Sequence, residues 1–275
     1  MSADLSRPNE LLLEFSRLVE SGRFNPWEGK LKTGVDLGTA NIVLSVVDEN
    51  NQPVAGASYP STVVRDGIVV DYMGAVQAVR RLRQQLEDLL KVKLDRAACA
   101  IPPGIMEGNV KAISNVVEAA DFEVTSVVDE PTAAASILGI RSGAVVDVGG
   151  GTTGISILKD GKVIFTGDEP TGGTHMTLVL AGFHGCDIPE AEAMKKDPRR
   201  EQDVFPVVRP VVEKMADIVK RYIQGYDVDS IYVVGGACCF AEFAPLFERC
   251  IGVPVEKPAA PLLVTPLGIA MNCIL

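Results

Sequence analysis

Apolar residues recur at helical spacing near the start of the chain, where Leu11, Leu12, Phe15, Leu18 and Val19 form one stripe that Ser21-Gly22 ends. The spacing predicts a short amphipathic helix. Pro26, Trp27 and Gly29 then mark a linker up to Lys30. From Leu31 the pattern changes to strands. Val35-Asp36-Leu37-Gly38-Thr39-Ala40-Asn41 is followed by the apolar positions 42–47 and a polar turn at 48–51, which together read as strand, glycine-bearing turn, strand and hairpin. The same order returns 111 residues on, from Asp36 to Asp147, as Val146-Asp147-Val148-Gly149-Gly150-Gly151-Thr152-Thr153, an apolar run over 155–158 and the hairpin signal Asp160-Gly161.

Each copy continues with alternating elements. In the first, Ala75, Val76, Val79, Leu82, Leu86, Leu89 and Leu90 predict a helix over 72–92, followed by a strand at 97–101, a helix at 109–120, a strand at 124–128 and a helix at 131–138. Pro131 suits a first helical turn because no amide partner is needed there. In the second, a helix fits 207–222, a strand 230–234, a helix follows Cys239, a short strand covers 253–255 and a terminal helix starts at Pro266. Residues 188–206, rich in proline and charge, read as a loop or insertion, although Glu190, Glu192, Lys195 and Lys196 suggest a solvated helix face within them. Alternating strands and helices in two similar halves imply a duplicated α/β protein.

Composition narrows the function. With 26 Lys+Arg against 36 Asp+Glu, the net charge of −10 repels phosphate backbones and anionic lipids, so neither nucleic acid nor a membrane surface is an expected partner. Asp4, Glu10 and Glu14 give the N-terminus the wrong charge for a secretory signal, and a cytoplasmic chain is expected. The six cysteines, at 99, 186, 238, 239, 250 and 273, have neither zinc-ligand nor disulfide-framework spacing and read as buried thiols.

Two acidic glycine turns at strand ends suit a metal-bound polyphosphate. Glycine lets backbone N–H groups approach phosphate oxygens that a Cβ would obstruct. Asp36 and Asp147 would hold Mg²⁺ through its waters, since that ion gives up its hydration shell reluctantly. Thr39 and Thr152 can donate hydroxyls to the same oxygens.

These turns resemble the phosphate motifs of the actin, Hsp70 and MreB-like nucleotide-binding superfamily. Gly34 to Thr39 is similar to its first phosphate motif, Asp129 to Ala135 to its first connecting helix, and Asp147 to Thr152 to its second phosphate motif. Val233 to Ala237 resembles the adenosine motif and Thr265 to Ala270 the second connecting helix, so the likeness runs from about residue 31 to the end. It implies an actin-like ATPase fold with two RNase H-like lobes and a reduced second lobe. The lobes would be 31–141, joined by the C-terminal helix 265–275, and 142–264, after an N-terminal helix and linker at 1–30. ATP and Mg²⁺ are the implied cofactors. Asp36, Glu130 and Asp147 would be the catalytic set, Asp36 and Asp147 carrying the metal and Glu130 positioning water or metal. The nucleotide would lie against Gly38, Thr39, Ala40 and Asn41, against Gly149, Gly150, Gly151, Thr152 and Thr153, and against Gly172 and Gly173 of a turn from the second lobe. Gly235 and Gly236 would lie beside adenosine.

Within that superfamily, Val64 to Val69, Asp147 to Ile155, Ala191 to Ala193 and Pro206 to Met215 resemble the compact Hsp70-like proteins of ethanolamine utilization. The resemblance implies a chaperone-type accessory protein of a bacterial microcompartment, with ethanolamine ammonia-lyase or shell proteins as partners. The cleft lysine of Hsp70 proteins is absent between Ser58 and Gly67, with Arg65 the nearest cation, so any ATPase activity is expected to be weak. The span 181–206 leaves little room for an adenine clamp, and no separate substrate-binding domain is expected after the last helix. An MreB-like filament or scaffold, carried by the motif Arg65 to Asp71, stays open, as does a nucleotide sensor that does not hydrolyse. A sugar-kinase-type phosphotransferase would need an inserted domain. The N-terminal helix would either dock on its own chain or detach to enter another protein's groove.

Overall fold

The computed structural model describes residues 3–65 and 67–275; Met1 and Ser2 of the N-terminal segment and Asp66 of the Arg65–Asp71 motif lie outside them. Helix α1 (Ser6–Ser21) precedes a meander of β1 (Leu31–Leu37), β2 (Asn41–Asp48) and β3 (Pro53–Pro60), then a small hairpin of β4 (Val64–Arg65) and β5 (Ile68–Val69). Helix α2 (Tyr72–Leu90), β6 (Arg96–Ile101), α3 (Glu107–Ala119) and β7 (Glu123–Asp129) complete a sheet of order β3-β2-β1-β6-β7. After α4 (Glu130–Leu138), the strands β8 (Gly143–Val148), β9 (Thr153–Lys159) and β10 (Lys162–Glu169) form a second meander. Helices α5 (Gly173–His184), α6 (Ile188–Lys196) and α7 (Glu201–Ile223) lead to β11 (Ile231–Val234), α8 (Phe243–Ile251), β12 (Val255–Glu256) and α9 (Val264–Met271). The second sheet has the order β10-β9-β8-β11-β12, strand for strand that of the first. In each, the opening strand pairs antiparallel with its hairpin partner and parallel with the later strand. The duplication visible in the sequence is therefore a duplication of sheets.

Each sheet buries one face under its own helices. The α2 residues Val76, Val79, Leu82 and Leu86 pack on Val35, Leu44 and Val46, each worth ~1.5–3 kcal/mol when fully buried. Asp71 starts that helix by accepting the Gly74 N–H at 2.9 Å, a cap worth about 1 kcal/mol. The other faces share a core in which α1, α4 and α9 meet Val43 and Val47 of the first sheet and Val145, Leu158, Tyr232 and Val234 of the second. This shared core sets the two lobes against each other and brings the ends of β1 and β8 to one cleft. No helix among the described residues is long and apolar enough to cross a membrane.

Three departures from the sequence pattern have physical causes. The return strand of the first hairpin, β3, has no bounds readable in the sequence, because Pro53, Gly56 and Pro60 interrupt its period; at the edge of the sheet prolines are tolerated. Residues 188–206 are not a loop: they form α6, a 3₁₀ turn at Pro198–Arg200 and the start of α7. Pro189 stands in the first turn of α6, and Pro206 and Pro210 are carried inside α7 because Val204, Phe205, Val208, Val211 and Val212 are buried on one stripe. Finally, not every cysteine is buried: Cys99, Cys238 and Cys273 are, but Cys239 is exposed.

Candidate functional site

The site grows from matching ends of the two sheets. Asp36 is the penultimate residue of β1, opposite Val43, and Asp147 is the penultimate residue of β8, opposite Gly154. Both open on one cleft of about 480 Å³, a size suited to a small-molecule ligand. Glu130 enters the same cleft from the first turn of α4. That turn is held by Asp129, which accepts the Thr132 N–H at 3.0 Å.

Of the residues expected at the site, Gly38, Thr39, Ala40, Asn41, Gly149, Gly150, Gly151, Thr152, Gly173, Gly235 and Gly236 all line this cleft with the three acids. The two glycine turns approach closely: a Cβ on Gly150 would lie 3.3 Å from the Cβ atoms of Thr39 and Ala40. Gly235, at φ +92°, backs directly onto the Asp147 carboxylate, where a Cβ would sit 2.4 Å from Oδ1. Its small size thus makes room for Asp147 as well as for a ligand.

Two expected residues do not line the cleft. Thr153 is buried in β9, its hydroxyl donating to the Thr171 carbonyl at 2.5 Å. Gly172 lies behind the second glycine turn, where a Cβ would be 2.6 Å from the Gly150 oxygen. The 171–174 segment is moreover a clip on that turn. The amides of Gly173 and Thr174 donate to the carbonyls of Gly149 and Gly150 at 2.9 and 2.8 Å, so neither is left for phosphate. Arg65 is exposed and does not line the cleft, and His175 belongs to the first turn of α5, where Nδ1 accepts the Gly172 N–H.

Sequence reading missed two contributors. Thr265, on α9, donates its hydroxyl to Asp147 Oδ2 at 2.5 Å and fixes the orientation of that carboxylate. Lys195 is not part of a solvated face: its side chain is 12% exposed and pairs with Glu192 at 2.6 Å. It also donates to the Gly173 carbonyl and the Thr177 hydroxyl at 2.9 and 2.7 Å. Glu192, Lys195 and Lys196 all line the cleft, so the short α6 still walls it. The signal was present as helical spacing, but nothing in the sequence says which side of this nine-residue helix faces inward.

The three acids form a buried carboxylate cluster with no cationic partner among the described residues. Burial, then the nearby Asp147 charge, pushes Asp36 up to about 7. Burial raises Asp147 to about 6 against the lowering effect of the Thr265 hydrogen bond. Glu130 is held well above the usual carboxylate range by burial, then by Asp147 and Asp36. None of the three draws a compensating interaction from a lysine, arginine or histidine. The donor set therefore fits a divalent cation. Among the described residues no three acidic, histidine or cysteine side chains enclose an ion directly. Mg²⁺ bound through its waters and a ligand's oxygens meets both observations.

A pH dependence follows. Asp36 is more easily protonated in the folded chain than in the unfolded one, so its contribution to stability is present below its ordinary value of 3.8 and lost as pH rises through about 7. Without divalent ions, melting at pH 8 should come several degrees below that at pH 6, corresponding to about 1 kcal/mol from Asp36. Asp36→Asn should flatten this slope, and an unchanged slope in thermal melts would contradict the assignment.

The paired sheets, the connecting helices α4 and α9 and the shared cleft define the actin-like ATPase fold. Solved structures agree: MreB5 of Spiroplasma citri bound to AMPPNP superposes with a TM-score of 0.70 at 18% identity, covering 88% of this chain and 95% of that one. The MreB/Mbl protein family matches residues 60–183, and the type IV pilus assembly protein PilM family matches residues 135–256. The chaperone protein DnaK of Thermoplasma acidophilum is 26% identical over 56% of this chain and 27% of its own length. Much nearer is the ethanolamine utilization protein EutJ of Salmonella typhimurium, 46% identical over 86% of this chain and 84% of that protein. The crystal structure of EutJ from Carboxydothermus hydrogenoformans is 50% identical, with a TM-score of 0.92 over 96% of this chain and 97% of that one. The chain belongs to the EutJ family of ethanolamine utilization proteins.

Proposed function

We propose that the protein binds ATP with Mg²⁺ between its lobes and serves ethanolamine utilization as a chaperone-type accessory protein. The observation that supports this most directly is the pair of matching Asp-glycine turns facing one cleft across a buried cluster of three carboxylates. Asp36 and Asp147 would hold the metal, which when bound supplies positive charge to a polyphosphate. Thr265 keeps Asp147 oriented, Glu130 would orient a water, and Glu192, Lys195 and Lys196 bound the cleft on the α6 side. Lys195 is engaged with Glu192, Thr177 and Gly173, and Lys196 pairs with Glu192 at 3.2 Å, so both cleft lysines of α6 are tied. This favours binding with slow turnover over efficient hydrolysis.

The partners proposed are ethanolamine ammonia-lyase or the shell proteins of the microcompartment, in keeping with family membership. Lobe closure on nucleotide would alter the surface offered to them, to the extent that nucleotide favours one lobe arrangement over the other. Calorimetric titration with ATP and Mg²⁺ should give a saturating, Mg²⁺-dependent heat. Light scattering of heat-stressed ethanolamine ammonia-lyase should then fall when protein and nucleotide are both present. No heat of binding removes the nucleotide reading, and unchanged scattering removes the ammonia-lyase as client.

A further inference from the structure

Helix α1 is docked on its own chain rather than displayed for another protein, and the way it docks is informative. Toward its C-terminal end it lies on the first lobe. A Cβ on Gly56 of β3 would fall 2.5 Å from the Phe15 ring and 2.7 Å from Val19, so this glycine is the seat of the helix. Asn25 secures the following linker, donating to Glu14 at 2.7 Å and to the Pro53 carbonyl at 3.0 Å. The other end reaches the second lobe. The Ala3 N–H donates to the hydroxyl of Tyr232, a fully buried residue of β11, at 2.5 Å, and the Ala259 N–H donates to Asn9 Oδ1 at 2.8 Å. Between these ends, Leu12 and Phe15 are fully buried in the core shared by both sheets. No residue of α1 lines the cleft.

We propose that α1 is a strap that spans both lobes and restrains their rotation about the crossing of α4 and α9. Two lobes joined only through that crossing could turn about it; a third element fastened to each side must break contacts on one of them before they do. Its fastening to the second lobe combines the apolar contacts of Leu12 and Phe15 with two hydrogen bonds near its N-terminal end, and those two bonds are the part a substitution can remove without emptying the core. This inference does not depend on the nucleotide reading, because it concerns the lobes whatever fills the cleft.

Hydrogen exchange read by mass spectrometry on the full-length protein without nucleotide tests it, comparing wild type with Asn9→Ala/Tyr232→Phe. The expected result is roughly tenfold faster exchange in the first half of α1 and in the α4 and α9 segments, with the β8–β11 core unchanged. Asn9→Ala alone, which leaves the core tyrosine in place, should show the same pattern severalfold weaker, and it decides the matter if Tyr232→Phe loosens β8–β11. Unchanged protection of α1 would overturn the proposal. So would faster exchange in α1 with α4 and α9 as slow as in wild type, which would make it a docked helix that restrains nothing. A calorimetric ATP titration of the same variants separates this result from the nucleotide reading: if wild type binds no ATP, the exchange data still decide the strap.

Discussion

Asp147→Asn should all but abolish Mg²⁺-dependent ATP binding, weakening it by about 3 kcal/mol, or roughly a hundredfold in Kd. Asp147 is 6% exposed, and its carboxylate lies at the end of β8 between Thr265, which donates to it, and Gly235, which makes room for it. Asparagine has nearly the same shape and can still accept the Thr265 hydrogen bond, so the substitution removes charge and little else. The same change relieves the repulsion that Asp147 exerts on Asp36 and Glu130. The ligand-free variant should therefore melt no lower than wild type at pH 8, and higher if the relief dominates. Calorimetry and thermal melts together separate a lost ligand site from a misfolded protein. Wild-type affinity in the variant would show that this carboxylate does not carry the metal-bound ligand.

The largest stability effect should come from Gly268→Ala. Gly268 is buried in α9, where a Cβ would stand 2.0 Å from the Ala133 carbonyl oxygen and 2.6 Å from its carbon, both backbone atoms of α4. Neither helix can yield cheaply: α4 and α9 are the lobe connectors, and each is buried against both sheets' shared core. Forcing them apart should cost about 3 kcal/mol and lower the melting temperature by roughly 10 °C. Gly182→Ala in α5 is the matching control, because no atom lies within 4 Å of the added Cβ, and it should stabilise by ~0.5–1 kcal/mol. Urea or thermal unfolding of the pair gives the answer; equal stabilities would mean the connectors are not packed as closely as described.

Much of this architecture could be read from the chain before any coordinates. The period-2 runs after Leu31 and Gly143, the Asp-glycine turns that end them and the helical stripe of α2 are local signals, and local signals survive in sequence. The repeat of Asp36 in Asp147 disclosed the paired sheets and the two aspartates of the cleft, while Glu130 was placed there only by the family resemblance. What escaped was set by tertiary contact. Strand β3 carries two prolines and a glycine and is a strand because β2 and α1 hold it there. Residues 188–206 contain three prolines that argue for a loop, but Pro189 and Pro198 stand in first turns, and burial of Val204, Phe205 and Val208 carries Pro206 inside α7. Lys195 and Thr265 show the same limit at the site: each gains its role from a partner distant in the chain or on another turn of helix. Gly172 and Thr153 stand back from the cleft because neighbouring backbone occupies the space beside them.

The clip between residues 171–174 and the second glycine turn has a mechanical corollary. Because Gly173 and Thr174 are bonded to the carbonyls of Gly149 and Gly150, a shift of that turn must be passed to the base of α5. The helix has 12 residues and so is about 18 Å long, and it carries Leu178, Val179 and Phe183 outward into solvent. A small tilt at its root becomes a larger sweep at its far end, as with a lever pivoted at one end, and exposed Phe183 is the apolar side chain nearest that end.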